Sequence, residues 1–148
     1  MNRFFRHPAT NAVGISIFSC FYGIVFFGFS DLVKSQTGQS ARPFWRSWDI
    51  FLSADGHQFA AVALLTLTAV VVALLLFKHK PYDEYHTSIL IKCLTISVLL
   101  ILAAIGVFFV MVLADPAGIM SKFIFFIMGN WTIVVVADLV YLIICGMK

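Results

Sequence analysis

Four long apolar segments make up most of this 148-residue chain, and they constrain its fold more than any other feature. Residues 7–30, 56–77 and 93–114 contain no Asp, Glu, Lys or Arg, and residues 123–147 contain only Asp138. A hydrocarbon core about 30 Å thick is crossed by roughly 20 helical residues, because each residue adds about 1.5 Å. Each segment is therefore long enough to cross a bilayer once.

Composition excludes a water-soluble fold and argues against a membrane β-barrel. Hydrophobic residues make up 61% of the chain and charged residues 11%, whereas soluble domains average about 45–50% and 25%. A barrel needs segments of about ten residues with alternating polarity, and residues 60–77 show no such period. Because a backbone in lipid must satisfy its own hydrogen bonds, helices are predicted despite the many Phe and Val residues.

The predicted fold is therefore all-α, a polytopic integral membrane protein with four transmembrane helices in one bundle. A single domain, residues 1–148, is expected. The first apolar segment is expected to stay as an uncleaved helix, because bulky Phe18 lies where a cleavage box before Cys20 would need a small residue. The spans are predicted at roughly 11–33, 57–77, 89–114 and 120–146.

The connection between the first two spans is predicted to contain a short interfacial helix. Residues 42–52 mix aromatic and charged side chains, and Pro43 lies near a helix start. Trp45 and Trp48 are one turn apart and are interpreted as interfacial anchors that fix helix depth, with a docking surface for an extracytoplasmic ligand as the alternative. His57, near the next helix start, is expected to be solvated.

The distribution of Lys and Arg predicts the orientation. The two termini and the second connection, taken with the start of the third helix, hold six basic residues, whereas the first and third connections hold four. Basic residues favour the cytoplasmic side. We therefore expect a multi-pass protein of the inner (cytoplasmic) membrane with both termini in the cytoplasm.

Asp138 is the acidic residue that interrupts the fourth segment, and it is placed near the bilayer middle. An acid facing lipid there costs on the order of 3 kcal/mol, so the side chain must face protein or water. Lys92 starts from the same side of the membrane, and an intramembrane Asp138–Lys92 pair is predicted to fix the helix register. The alternative is that Asp138 is a proton or cation site or a switch.

Two further surfaces are interpreted as contacts. Ser16, Ser19 and Gly23 are small residues of the first helix that permit close helix packing, either within the chain or against a second copy. A homo-oligomer is expected. A cytosolic protein partner is expected at a charged cytoplasmic platform formed by Lys78, His79, Lys80, Asp83 and Glu84.

No motif for catalysis or ligand binding stands out from this background. His79 and His86 lack a Cys partner or a short ligand repeat, so neither a metal nor another cofactor is expected, and no direct nucleic-acid partner is expected. The predicted function is a non-enzymatic inner-membrane subunit that anchors, senses or acts as a scaffold; a toxin-immunity or defence system is one setting that fits such a chain. The alternative is a small ion or proton channel or transporter that uses Asp138.

Overall fold

The computed structural model describes residues 8–28, 31, 35, 42–77 and 83–146, and this part of the chain is all-α. Four of its five helices are long and apolar enough to cross a membrane. The predicted all-α, four-span membrane fold is confirmed, as is the short helix between the first two spans. The helices are α1 (Pro8–Gly28), α2 (Pro43–Ser53), α3 (Gly56–Phe77), α4 (Glu84–Ala114) and α5 (Ile119–Gly146).

Two helices begin earlier than their predicted spans. α1 starts three residues before residue 11, and α4 starts five residues before residue 89. The early start of α4 follows from a helix cap, since the Asp83 side chain accepts a hydrogen bond from the Glu84 amide at 2.8 Å. At about 1.5 Å per residue, the 31 residues of α4 extend about 46 Å, so this helix is longer than the hydrocarbon core is thick.

α5 is the central helix of the bundle. It packs against α4, α3 and α1, and α2 lies across the junction of α3 and α5. α1 packs mainly against α3 and makes few contacts with α4, so a groove separates α1 from α4 with α5 at its back. We call the end where α1 begins and α5 finishes the terminal end, and the opposite end the α2 end.

A hydrogen-bonded and aromatic core joins α1, α3 and α5 halfway along the bundle. Trp131 is fully buried, with its ring stacked on Tyr22 at 5.9 Å. Its indole N–H donates to Ser19 Oγ at 3.1 Å, and Ser19 Oγ donates in turn to Thr68 Oγ1 at 3.4 Å. Because lipid tails are as apolar as side chains, such packing and hydrogen bonding hold membrane helices together.

The small-residue face of α1 packs within the chain. Ser19 is buried against α3, and a Cβ atom built on Gly23 would lie 3.7 Å from Leu65 Cδ1, an ordinary van der Waals distance. Ser16 is half-buried and donates to the Ala12 carbonyl of its own helix at 2.8 Å. The spacing alone did not decide whether this face packs within the chain or against a second copy. For Ser19 and Gly23, the neighbour is α3 of the same chain.

Candidate functional site

Asp138 is buried and paired with an amide side chain from α1. Only 2% of the residue is exposed, and Asp138 Oδ1 accepts a hydrogen bond from Asn11 Nδ2 at 2.9 Å. A buried polar group without a hydrogen-bond partner is costly, so this contact offsets part of the cost of placing an acidic side chain inside the membrane. It also ties the start of α1 to the last third of α5.

The predicted pair between Asp138 and Lys92 is not formed within the chain. Lys92 is exposed, and the described residues place no acidic group within ion-pair distance of it. The reason is the helical period: Leu90 is buried on the inner face of α4, and a residue two positions later is rotated by about 200°, which points Lys92 away from the bundle. The partner of Asp138 is therefore Asn11.

The position of Asp138 along α5 follows from the bounds of the helix. Trp131 lies near the centre of α5, and Asp138 lies seven residues further toward the terminal end. Its partner Asn11 is only three residues from the first residue of α1, Pro8. Along α5, Asp138 is about 10 Å from Trp131 and about 12 Å from Gly146, so it lies between the middle of the helix and the terminal end.

A groove of about 630 Å³ runs between α1 and α4 and gives access to Asp138. Its walls are mostly apolar, with Phe18 from α1 and Leu94 from α4, while Asn11 and Thr87 supply polar groups near the terminal end. A carboxylate can accept more than one hydrogen bond. The groove is thus able to receive a hydrogen-bond donor or a cation that approaches from the membrane.

The α2 end contains a second polar cluster, which fastens α2 to the start of α5. Asp49 is 4% exposed, and its Oδ1 accepts a short hydrogen bond from Ser121 Oγ. Trp48 Nε1 donates to the Ser121 carbonyl at 3.0 Å. Asp49 Oδ2 is buried with no hydrogen-bond partner among the described residues. This cluster positions α2 against the bundle through two hydrogen bonds, as well as through apolar contact.

The two tryptophans of α2 face the protein. Trp45 is 7% exposed, and its ring lies 5.8 Å from that of Phe125 in an edge-to-face arrangement. The ring of Trp48 meets the same Phe125 at 5.3 Å. Both side chains therefore attach α2 to α5, and the exposed aromatic residues of this helix are Phe44, at 59%, and Phe51, at 38%. The role of the two tryptophans as interfacial anchors, or as a docking surface for an extracytoplasmic ligand, stays a prediction.

Lys122 is fully buried beside these tryptophans, although it lies in the first turn of α5, where the helix dipole disfavours a cation. Its ammonium donates to the carbonyls of Asp115 and Ala117 and lies 3.2 Å from Asp115 Oδ2, with the Trp45 ring centroid at 5.6 Å. The hydrogen bond from Lys122 holds the pKa of the Asp115 carboxyl below its usual value, and the Ala117 amide lowers it further. These contacts lock the connection between α4 and α5.

The predicted cytoplasmic platform is described only in part. Lys78, His79 and Lys80 lie outside the described residues. Asp83 and Glu84 are exposed at the start of α4, where Asp83 also caps the helix. Docking of a cytosolic protein at this turn stays a prediction.

His57 is a further correction, because it is fully buried where solvation was expected. Its Nδ1 lies 3.1 Å from the Leu52 carbonyl, so it joins the end of α2 to the start of α3. Within the described residues, no group of three or more His, Cys, Asp and Glu side chains is placed to hold a metal ion.

Sequence reasoning missed Asn11, Asp49 and Ser121. Asn11 had a usable signal, since it is a polar residue of the first span that lies, by topology, at the same end of the bundle as Asp138. Asp49 and Ser121 had none, because residues 72 positions apart meet only through the packing of α2 on α5.

The described residues define a multi-pass α-helical membrane protein with a mostly apolar groove that has Asp138 at its back. Comparison of the chain with protein-family models, with curated proteins and with solved structures finds no match.

Proposed function

We propose that this protein is a non-catalytic subunit of the inner (cytoplasmic) membrane that anchors or senses through homo-oligomerisation and a cytosolic partner. The observation that supports this is the position of Asp138 at the back of a groove that opens sideways, between α1 and α4. A polar group presented laterally is suited to hydrogen bonding with another membrane helix. A toxin-immunity or defence system is the proposed setting.

The proposed orientation has both termini in the cytoplasm and α2 on the opposite face. Ser47 is exposed on α2, and Glu84 is exposed at the other end of the bundle. In a background without native cysteines, a membrane-impermeant maleimide is expected to label Ser47→Cys in intact cells and to label Glu84→Cys only after the membrane is broken. Labelling of Glu84→Cys alone in intact cells would reverse the orientation, since the basic-residue excess on which it depends is small.

The competing function is a proton or ion conductor, and the observation that favours it is the ionisable Asp138 inside the helical bundle. The purified protein, reconstituted in liposomes with a trapped pH-sensitive dye, separates the two. A subunit is expected to give the same slow proton leak for the wild type, for Asp138→Asn and for empty liposomes.

A conductor would instead give a wild-type flux above that of empty liposomes that Asp138→Asn abolishes. Asp31→Asn is the matched control, because Asp31 is an exposed acid away from the groove. A flux that depends on Asp138 and not on Asp31 would replace the proposed subunit function with transport.

A further inference from the structure

Asp138 and Lys92 have complementary charges and do not pair with each other within the chain, since Asp138 is buried at the back of a groove and Lys92 is exposed. Asp138 lines the groove between α1 and α4. Lys92 lies on the outer side of α4, one turn inside the predicted span 89–114, and no acidic partner for it occurs in the part of the chain that the structure describes. A lysine exposed to hydrocarbon is costly unless its ammonium reaches the headgroups or finds a partner.

The two residues also lie at similar distances from the ends of their helices. Lys92 follows the first residue of α4, Glu84, by eight residues, and Asp138 precedes the last residue of α5, Gly146, by eight residues. Because α4 begins and α5 finishes at the terminal end, both side chains lie about 12 Å along their helices from that end. A two-fold axis along the membrane normal keeps every residue at its own depth, so it can bring these two groups together between copies.

We propose that a second copy of this chain occupies the groove and that its Lys92 pairs with Asp138, so that a two-fold symmetric dimer contains two such pairs. This inference rests on the homo-oligomerisation in the proposed function and names the surface and the residues that carry it. Each copy then contributes a residue to the site of the other, and neither site is complete in the monomer.

The surface of α4 around Lys92 is continuous with the groove. Thr87 and Ile91 line the groove, and they also line a shallow depression of about 380 Å³ whose other walls are Glu84, Ser88 and Lys92. A two-fold axis beside α4 therefore places this depression of one copy against the groove of its partner. The Asn11 amide occupies one oxygen of Asp138, and the carboxylate keeps acceptor capacity for an ammonium group.

A mixed-subunit experiment tests the pairing between copies. Homodimers of Asp138→Asn have no pair, and homodimers of Lys92→Met have none either, but a dimer of one chain of each retains one pair. Two differently tagged variants are co-expressed at equal levels and solubilised in mild detergent. The ratio of mixed dimer to the sum of both homodimers is expected to be at least about fivefold above the statistical ratio, whereas wild-type chains with the same tags are expected to mix statistically. Native mass spectrometry or tandem-tag purification measures the ratio.

Matched controls use charges away from the groove. Asp31→Asn paired with Arg46→Met is expected to give statistical mixing, because both residues are exposed elsewhere on the chain. Statistical mixing of Asp138→Asn with Lys92→Met would overturn the pairing while leaving a dimer, and hence the proposed scaffold, in place. A wild-type monomer in lipid nanodiscs would overturn both.

Discussion

Replacing Trp131 by Ala is expected to lower the free energy of unfolding by about 3–5 kcal/mol. The loss is expected near the lower end of this range, because the separated helices of the unfolded state stay in an apolar solvent. The side chain projects from α5 and is fully buried. The centroid of its ring lies 5.9 Å from that of Tyr22 and 6.0 Å from that of Phe26, both of α1. Its removal leaves a large cavity and takes the donor away from Ser19 Oγ. Far-UV circular dichroism in mixed micelles, titrated with sodium dodecyl sulfate, measures the loss.

Two further variants separate packing from hydrogen bonding at this position. Trp131→Phe keeps most of the ring contact and loses the N–H donor, so a loss of about 1 kcal/mol is expected, since hydrogen bonds between membrane helices contribute modestly. Phe109→Ala removes a ring that is 59% exposed on α4, and little change is expected. A Trp131→Ala variant no less stable than Phe109→Ala would show that the buried ring does not hold the bundle together.

Ser121→Ala is expected to cost about 3 kcal/mol and to loosen α2 from the bundle. The hydroxyl donates a hydrogen bond to Asp49, a residue only 4% exposed, so its loss leaves a buried acidic side chain without a donor among the described residues. An unsatisfied buried polar group costs about 1–3 kcal/mol, and more when the group is charged. The same denaturant titration measures the change.

The double variant Asp49→Leu with Ser121→Ala provides the test of mechanism. Removing both partners together leaves no stranded polar group, so the double variant is expected to lose less stability than Ser121→Ala alone. If the loss of the double variant equals the sum of the losses of Asp49→Leu and Ser121→Ala, the two side chains act independently. The hydrogen bond would then not be what fastens α2 to α5.

For α2, the sequence pattern predicted the helix but not the direction in which its aromatic side chains face. Pro43 and the mixed aromatic and charged residues after it predicted a short helix, because they meet local requirements of the backbone. Which way Trp45 and Trp48 face could not be predicted in the same way. An amphipathic Trp side chain suits both a headgroup region and a protein contact, and the contacts with Phe125 and Ser121 of α5 form only in the tertiary structure.

For the candidate site, the sequence likewise identified Asp138 but not the residue that it contacts. Its cost in lipid made it conspicuous in a segment of otherwise uncharged residues, so the residue was identifiable from the sequence. Its partner was not. Lys92 had the complementary charge and a suitable depth, but the buried face of α4 is set by Leu90, and the resulting rotation directs Lys92 outward. Asn11 comes into contact only because α1 packs beside α5.

The sequence by itself determined the number of spans, their helical form and their approximate bounds. These depend on the length of apolar segments and on the need of a backbone in lipid to satisfy its own hydrogen bonds. Tertiary structure alone decided which helices are neighbours and which polar groups meet. The apolar faces of these helices are nearly alike around the whole circumference, so their rotation is set by contacts between distant residues, such as Trp131 with Ser19 and Asp49 with Ser121, and not by hydrophobic periodicity.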